Sequence, residues 1–263
     1  MNRAGICLWF ILFFVLSCSS DYRDIATENG RQAVIDEATN HLTAGLCDRA
    51  LETLSDLYNS DHVDNEVRQL YASAYACKGG LNFPSMFVAL KDSPDIWNAL
   101  IKSNYSAGTG DLKVDNMLRS AEILRETSSI EGNYFASTRP RDVNAYMVFV
   151  QLNLISLTLS PLGAANPDDG KRRKPTPICS PAATCIARDQ CRVAVAVANI
   201  RDSIDSLPSG PITDKISIAF NAACSAVGGG CPTVLDPSDA ACTAAMQVQG
   251  QVLIDTFASQ WGT

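Results

Sequence analysis

The most reactive side chains in this 263-residue chain are ten cysteines, at positions 7, 18, 47, 77, 179, 185, 191, 224, 231 and 242. Thiols at this density hold a metal, act as nucleophiles or pair as disulfides. The spacing argues against the first two. There is no C-x-x-C pair, Cys179-x5-Cys185-x5-Cys191 does not match a zinc site, and the two histidines, His41 and His62, are far from the cysteine cluster in sequence. A catalytic thiol lacks a neighbouring histidine for the same reason. Disulfides are therefore expected, with no metal and no cofactor. Cys47 and Cys77 stand alone in the first half, and six cysteines lie between Cys179 and Cys242. The simplest partition is a Cys47–Cys77 bridge and three bonds among Cys179, Cys185, Cys191, Cys224, Cys231 and Cys242. Six cysteines leave about fifteen connectivities open. A Cys47–Cys77 bridge would close 31 residues, a loop for which chain entropy gives roughly 3.5 kcal/mol.

Other groups offer less. His62 lies beside Asp61 and close to Asp64, a carboxylate–histidine combination suited to proton transfer. The spacing carries no catalytic signature, and a solvated turn is expected. Lys171-Arg172-Arg173-Lys174 is the one basic run. It would serve as an electrostatic contact to lipid headgroups or an acidic partner, or simply as a solvated loop, since Asp168 and Asp169 offset part of its charge. Gly108-Thr109-Gly110-Asp111 is not followed by Gly-Lys-Ser/Thr and reads as a turn, as does Gly228-Gly229-Gly230, which would let Cys231 reach a partner. No G-x-S-x-G, H-E-x-x-H or calcium-loop pattern occurs. A formal charge of −7 argues against a nucleic-acid partner, which needs a basic face.

The N-terminus carries an address. Arg3 precedes an unbroken apolar run from Ile6 to Leu16. The run falls short of the roughly 20 residues that span a bilayer, and it fits the core of a secretory signal; a buried N-terminal helix is the alternative. The run ends Val15-Leu16-Ser17-Cys18, then Ser19-Ser20-Asp21. This resembles the lipobox of bacterial lipoproteins. The resemblance implies lipid on Cys18, cleavage after Ser17 and acylation of the new amine, an anchor that holds because more than one chain inserts. Ser19 in place of aspartate implies, by the enteric sorting pattern, the outer membrane. Loss of residues 1–17 removes Arg3 and takes the charge from −7 to −8. It also removes Cys7, so that with Cys18 lipidated eight cysteines remain, an even number that can all pair.

Hydropathy periodicity then predicts helices. Val34, Ala38 and Leu42 share a face that stops at Gly45; Ala50, Leu51, Leu54, Leu57 and Tyr58 form a second; Val67, Leu70, Tyr71, Ala74 and Tyr75 a third, stopping at Gly79-Gly80. Further helices are expected at Asp95–Lys102, Lys113–Thr127, Arg141–Leu159, Pro181–Leu207, Pro211–Val227 and Pro237–Trp261. Each of the last three opens on a proline at its first position. Arg192 to Ala198 alternates Val and Ala with period two but sits in a long segment free of Gly and Pro, so it too is read as helix. Val143 to Leu159 is very apolar but interrupted by Asn144, Gln151 and Asn153; a central buried helix is favoured over a membrane span, and its amides would need internal partners. The segment Ala38-x3-Leu42-x2-Gly45-x4-Ala50-x3-Leu54 resembles a tetratricopeptide-repeat hairpin. Ala38 recurs as Ala72 and Gly45 as Gly79 at that family's period of 34, whereas Pro84 stands where Ala50 would recur. Antiparallel helices without repeat ancestry would give the same stripes.

The expected organisation is a signal peptide at 1–17, a lipidated tether at 18–30, helical hairpins at 31–165, a polar linker at 166–177 that includes the basic run, and a Cys- and Ala-rich helical part at 178–263. The fold class is all-α. The expected function is that of a membrane-anchored envelope lipoprotein, a noncatalytic scaffold whose partners are the membrane, through its lipid, and an envelope protein. The alternatives are a hydrolase of envelope polymers with dispersed carboxylates, and a eukaryotic secreted helical protein glycosylated at Asn104.

Overall fold

The computed structural model describes residues 24–93, 96, 99–100, 111–159, 164–165, 172–173 and 187–259. The fold is all-α. The described helices are α1 (Glu28–Thr43), α2 (Cys47–Tyr58), α3 (Asn65–Lys78), α4 (Phe83–Asp92), α5 (Asp111–Arg125), α6 (Arg141–Leu159), α7 (Ala187–Ser203), α8 (Pro211–Ala226) and α9 (Ala244–Ser259). One two-residue antiparallel pair joins β1 (Ala164–Ala165) to β2 (Arg172–Arg173), with Ala164 opposite Arg173. Arg172 and Arg173 of the basic run are thus paired in a ladder where an open loop was expected. The chain divides into two compact units, residues 1–74 and 75–263, the boundary falling inside α3.

In the first unit α1 and α2 pack as a hairpin. The Thr27 hydroxyl accepts from the Gly30 amide at 3.1 Å, satisfying one of the free donors of the first turn. Gly30 lies so close to the Asp24 carbonyl that a β-carbon there would come within 2.0 Å of its oxygen. Helix therefore starts inside the stretch expected to be a tether: the cap and the glycine contact order residues 28–30. The other end closes with Leu46 N–H donating to His41 O at 2.8 Å and Gly45 N–H to Leu42 O at 3.0 Å, Gly45 supplying φ +72°. Ala38, Ala50, Leu54 and Leu57 are completely buried, and Tyr58 stacks on Tyr71 of α3 with ring centroids 4.2 Å apart.

The second unit is built on α6 and α7, which pack against each other; α5 lies on α6 and α9 on α7. Both helices are buried nearly all round, which is why Val193 through Ile200 show period two in sequence yet fold as helix: every face of that stretch meets protein. Among the described residues α6 is the one helix long and apolar enough to cross a membrane, and its residues from Met147 to Leu159 are all buried inside the protein. The polar segment expected at 166–177 lies between α6 and α7 in sequence, and the helices on either side of it pack together.

Three elements differ from expectation. Helix α4 falls where no helix was predicted. The Asn82 side chain accepts from Ser85 N–H at 3.0 Å and Pro84 occupies the first turn, so the residue that interrupts the repeat pattern is a helix opener. The C-terminal end of α4 is capped from a distance, by the Lys215 ammonium of α8 donating to the carbonyls of Leu90, Lys91 and Ser93 at 3.3, 3.1 and 2.9 Å. The last helix starts at Ala244 instead of Pro237. Asp236 accepts from Ser238 N–H at 2.8 Å, a 3₁₀ turn follows at Asp239–Ala241, and Thr243 supplies the cap by accepting from Met246 N–H at 3.3 Å. Finally, the two glycines spaced by 34 do different jobs. Gly45 is an exposed left-handed turn with nothing near its Cβ direction, whereas Gly79 is buried, with Met117 Sδ 2.5 Å from where a β-carbon would stand; the left-handed turn falls to Gly80, at φ +89°.

Candidate functional site

In the first unit, the α1–α2 hairpin carries a cavity of about 240 Å³. Its apolar side is Val34 and Ile25. Its polar side is Glu37 and His41 from α1, with Arg49, Glu52, Thr53 and Asp56 from α2. Glu37 and His41 are one helical turn apart, which brings Nε2 within 3.7 Å of Oε1. Arg49 approaches Glu52 at 3.8 Å, with both side chains mostly in water, so the pair is a weak constraint on the cavity. Three carboxylates face one guanidinium and one imidazole. Such a lining suits a positively charged or hydrogen-bond-donating group. Periodicity marks Val34 as core, but no spacing rule joins residues of α1 to residues of α2, so only the packed hairpin reveals the cavity.

The second unit holds a buried polar cluster around two arginines at the ends of the 126–140 connection. Arg139 is fully engaged: Nε donates to Asn144 Oδ1 at 2.8 Å, one Nη to Tyr134 O at 2.7 Å and the other to Ser203 Oγ at 3.3 Å. Asn144 returns a bond from Nδ2 to Ala136 O at 2.8 Å, and Ala136 N–H donates to Asp202 Oδ2 at 2.5 Å. Asn144 thus has the internal partners its position demanded. Burial lowers the Arg139 pKa, and Asp202 opposes that shift. Arg125, the last residue of α5, is different. Its guanidinium lies 5.5 Å from the Tyr134 ring centroid; among the described residues its Nε has no hydrogen-bond partner, and Tyr134, Glu122 and Asp236 act on it as opposite charges. Burial, reinforced by the nearby Arg139 charge, pushes its pKa down to about 10. A ring face contributes about 0.5–2 kcal/mol to a cation, against several kcal/mol for desolvating it. Gln151 donates only to Met147 Sδ, at 3.3 Å, and its Oε1 is unpartnered. Asn153 donates to Met117 Sδ at 3.3 Å.

The cysteines separate cleanly. Cys191 on α7 is bonded to Cys242, just before α9, with Cα atoms 5.6 Å apart. Cys224 at the end of α8 is bonded to Cys231 across the Gly228-Gly229-Gly230 turn, with Cα atoms 4.6 Å apart. Cys47 and Cys77 are both disulfide-bonded. Cys18, Cys179, Cys185, Lys171, Lys174 and Asn104 lie outside the described residues, so the lipid site, the remaining bonds among the six and the sequon stand as expectations. His62 is an exposed turn residue whose amide donates to Ser60 Oγ at 3.1 Å. Among the described residues no group of three or more His, Cys, Asp or Glu side chains is placed to hold a metal. Compared with known proteins, the chain matches no protein-family model, no curated protein and no solved structure.

Proposed function

We propose that the protein is an exported, lipid-anchored envelope component that acts without catalysis, holding a protein partner on its N-terminal helical hairpin. The observation that carries the reading is the cavity between α1 and α2, with carboxylates of Glu37, Glu52 and Asp56 above an apolar base formed by Val34 and Ile25. Stacked hairpins bind peptides through such concavities. An acidic wall selects a lysine or arginine side chain, and the apolar base takes its methylene stem. The disulfides support the compartment, because paired cysteines persist in oxidising spaces outside the cytosol. Cleavage before Cys18 and lipidation there supply the anchor, with the outer membrane as destination. The tetratricopeptide likeness belongs to the same proposal: it rests on the α1–α2 hairpin and on the burial of Ala38 and Ala72.

Two experiments test it. Cys18→Ala is expected to leave the precursor uncleaved or to release the protein from membranes; unchanged mass and fractionation would refute the anchor. Crosslinking in intact envelopes is expected to trap a reproducible protein partner that Glu37→Lys/Asp56→Lys loses. A partner captured equally by that variant, or no partner together with turnover of an envelope polymer, defeats the scaffold reading.

A further inference from the structure

In the first unit, we infer that His41 makes the hairpin cavity sensitive to pH: on taking up a proton it becomes the cavity's own cation and releases the cationic side chain of a partner. This rests on the partner-binding reading of the cavity and adds its regulation. Each wall of the cavity is one stripe of one helix. Val34, Glu37 and His41 of α1 stand at i, i+3 and i+7, and Arg49, Glu52, Thr53 and Asp56 of α2 at i, i+3, i+4 and i+7. That register turns the His41 imidazole toward the same space as the Glu37 carboxylate, with Nε2 3.7 Å from Oε1. The His41 and Glu37 side chains are 25% and 33% exposed, so the pair is partly sheltered from water yet open to a proton.

The charged groups that share the cavity with His41 are Glu37 from its own helix and Arg49, Glu52 and Asp56 from α2; Ile25, Val34 and Thr53 complete the lining without charge. Beside a neutral imidazole, three carboxylates against one guanidinium leave two negative charges for a ligand to answer; beside an imidazolium they leave one. Imidazole is the side chain whose charge ordinarily changes between about pH 5 and 8, whereas carboxylates and guanidinium groups ordinarily keep theirs across that range. Acidification therefore gives Glu37 a cation from inside the protein, already within ion-pairing distance. A lysine ammonium arriving from solution then meets like charge where it had met a carboxylate. Unit charges about 4 Å apart change a binding constant about fivefold in water, and more where water is excluded. Without the imidazole, the same carboxylates would hold a cation equally well across this range.

Fluorescence anisotropy of an oligolysine peptide, blocked at both ends and labelled with tetramethylrhodamine, tests the inference when titrated with the full chain at about pH 7.5 and about pH 5.5 at one low ionic strength. The wild type is expected to bind about fivefold or more weakly at the lower pH. His41→Gln is expected to bind equally at both, as tightly as the wild type does at the higher pH, and His41→Lys, which fixes the charge, to bind weakly at both. His62→Gln, which changes the exposed histidine of the turn after α2, is expected to keep the wild-type difference. Equal wild-type affinity at the two pH values, a His41→Gln variant that still weakens on acidification, or loss of the difference in His62→Gln would overturn the switch and leave the cavity reading standing. No binding at the higher pH, or binding undiminished in Glu37→Lys/Asp56→Lys, would defeat the cavity reading itself and the switch with it.

Discussion

The first unit buries little and leaves much of its polar surface open; the second buries two helices almost whole and has to satisfy what goes in with them. In the α1–α2 hairpin Ala38, Ala50 and Leu54 are fully buried, and charged residues of both helices line a cavity. In α6 and α7 every face is covered, so Asn144, Gln151, Asn153, Asn199 and Ser203 are drawn into the interior along with the aliphatic side chains. Asn199 finds carbonyls at Val195 and Leu235, at 2.9 and 3.1 Å, while its Oδ1 is left unpartnered. The difference teaches that burial on one stripe makes a surface available for a partner, whereas burial all round creates polar obligations inside. Those obligations are not all met: Arg125 Nε, Gln151 Oε1 and Asn199 Oδ1 are buried without a hydrogen-bond partner.

This contrast can be broken at graded cost. The largest effect is expected from the covalent tie that holds α7 to the start of α9. Replacing Cys191 and Cys242 together by alanine opens a loop with a sequence separation of 51 and should destabilise the second unit by about 4 kcal/mol, against about 2.5 kcal/mol for the Cys224–Cys231 pair, whose separation is 7. Urea unfolding read by tryptophan-independent far-ultraviolet dichroism checks both, and equal effects would show that loop closure is not the cause. Next, Gly250→Ala should cost about 3 kcal/mol, because its new β-carbon would stand 1.9 Å from the Gln190 carbonyl oxygen and force α7 and α9 apart. Thermal unfolding measures this; a loss under a few tenths of a kcal/mol would mean that the two helices slide freely.

In the first unit the expected effects are smaller. Thr27→Ala removes the cap of α1 and should cost about 1 kcal/mol, visible as fraying in amide exchange at the start of α1 with no change at α6. The least conspicuous effect is one of pH. Burial lowers the Arg125 pKa in the folded protein from its ordinary value to about 10, so its charge opposes folding fully below the folded value. Between the two values the unfolded chain holds more protons, and stability contributed by this group rises with pH. Arg125→Met is therefore expected to be at least as stable as the wild type near neutrality, an advantage that shrinks above about pH 10; an advantage that grows there would contradict the buried-cation account.

Much of this architecture is legible in the residues. The span of α6 matches the sequence reading, because a mostly apolar stretch free of Gly and Pro and bounded by Pro140 and Pro161 can end in few places. Val34, Ala38, Ala50, Leu54 and Leu57 are core because their spacing puts them on one side of a 3.6-residue period. Proline in a first turn marks α8 correctly and misleads at Pro237, where Asp236, a 3₁₀ turn and Thr243 divide the capping work among themselves. Helix α4 escapes notice because ten residues with a proline at the second position carry too little periodicity to outweigh the proline's reputation as a breaker.

What the chain determines alone is local: which segments are helical, which stripe of each is apolar, and that its cysteines occur in numbers suited to pairing. These follow from periodicity, capping chemistry and counting, and none needs to know which helix is next to which. Packing decides the rest. The bonding of Cys191 to Cys242 and of Cys224 to Cys231, the meeting of α1 and α2 carboxylates around one cavity, and the burial of Arg125 beside Arg139 each depend on residues brought together across the fold. Side chains distant in sequence acquire a shared dielectric and shared partners only when helices close on one another, and it is that shared environment, rather than residue type, that gives a group its chemistry.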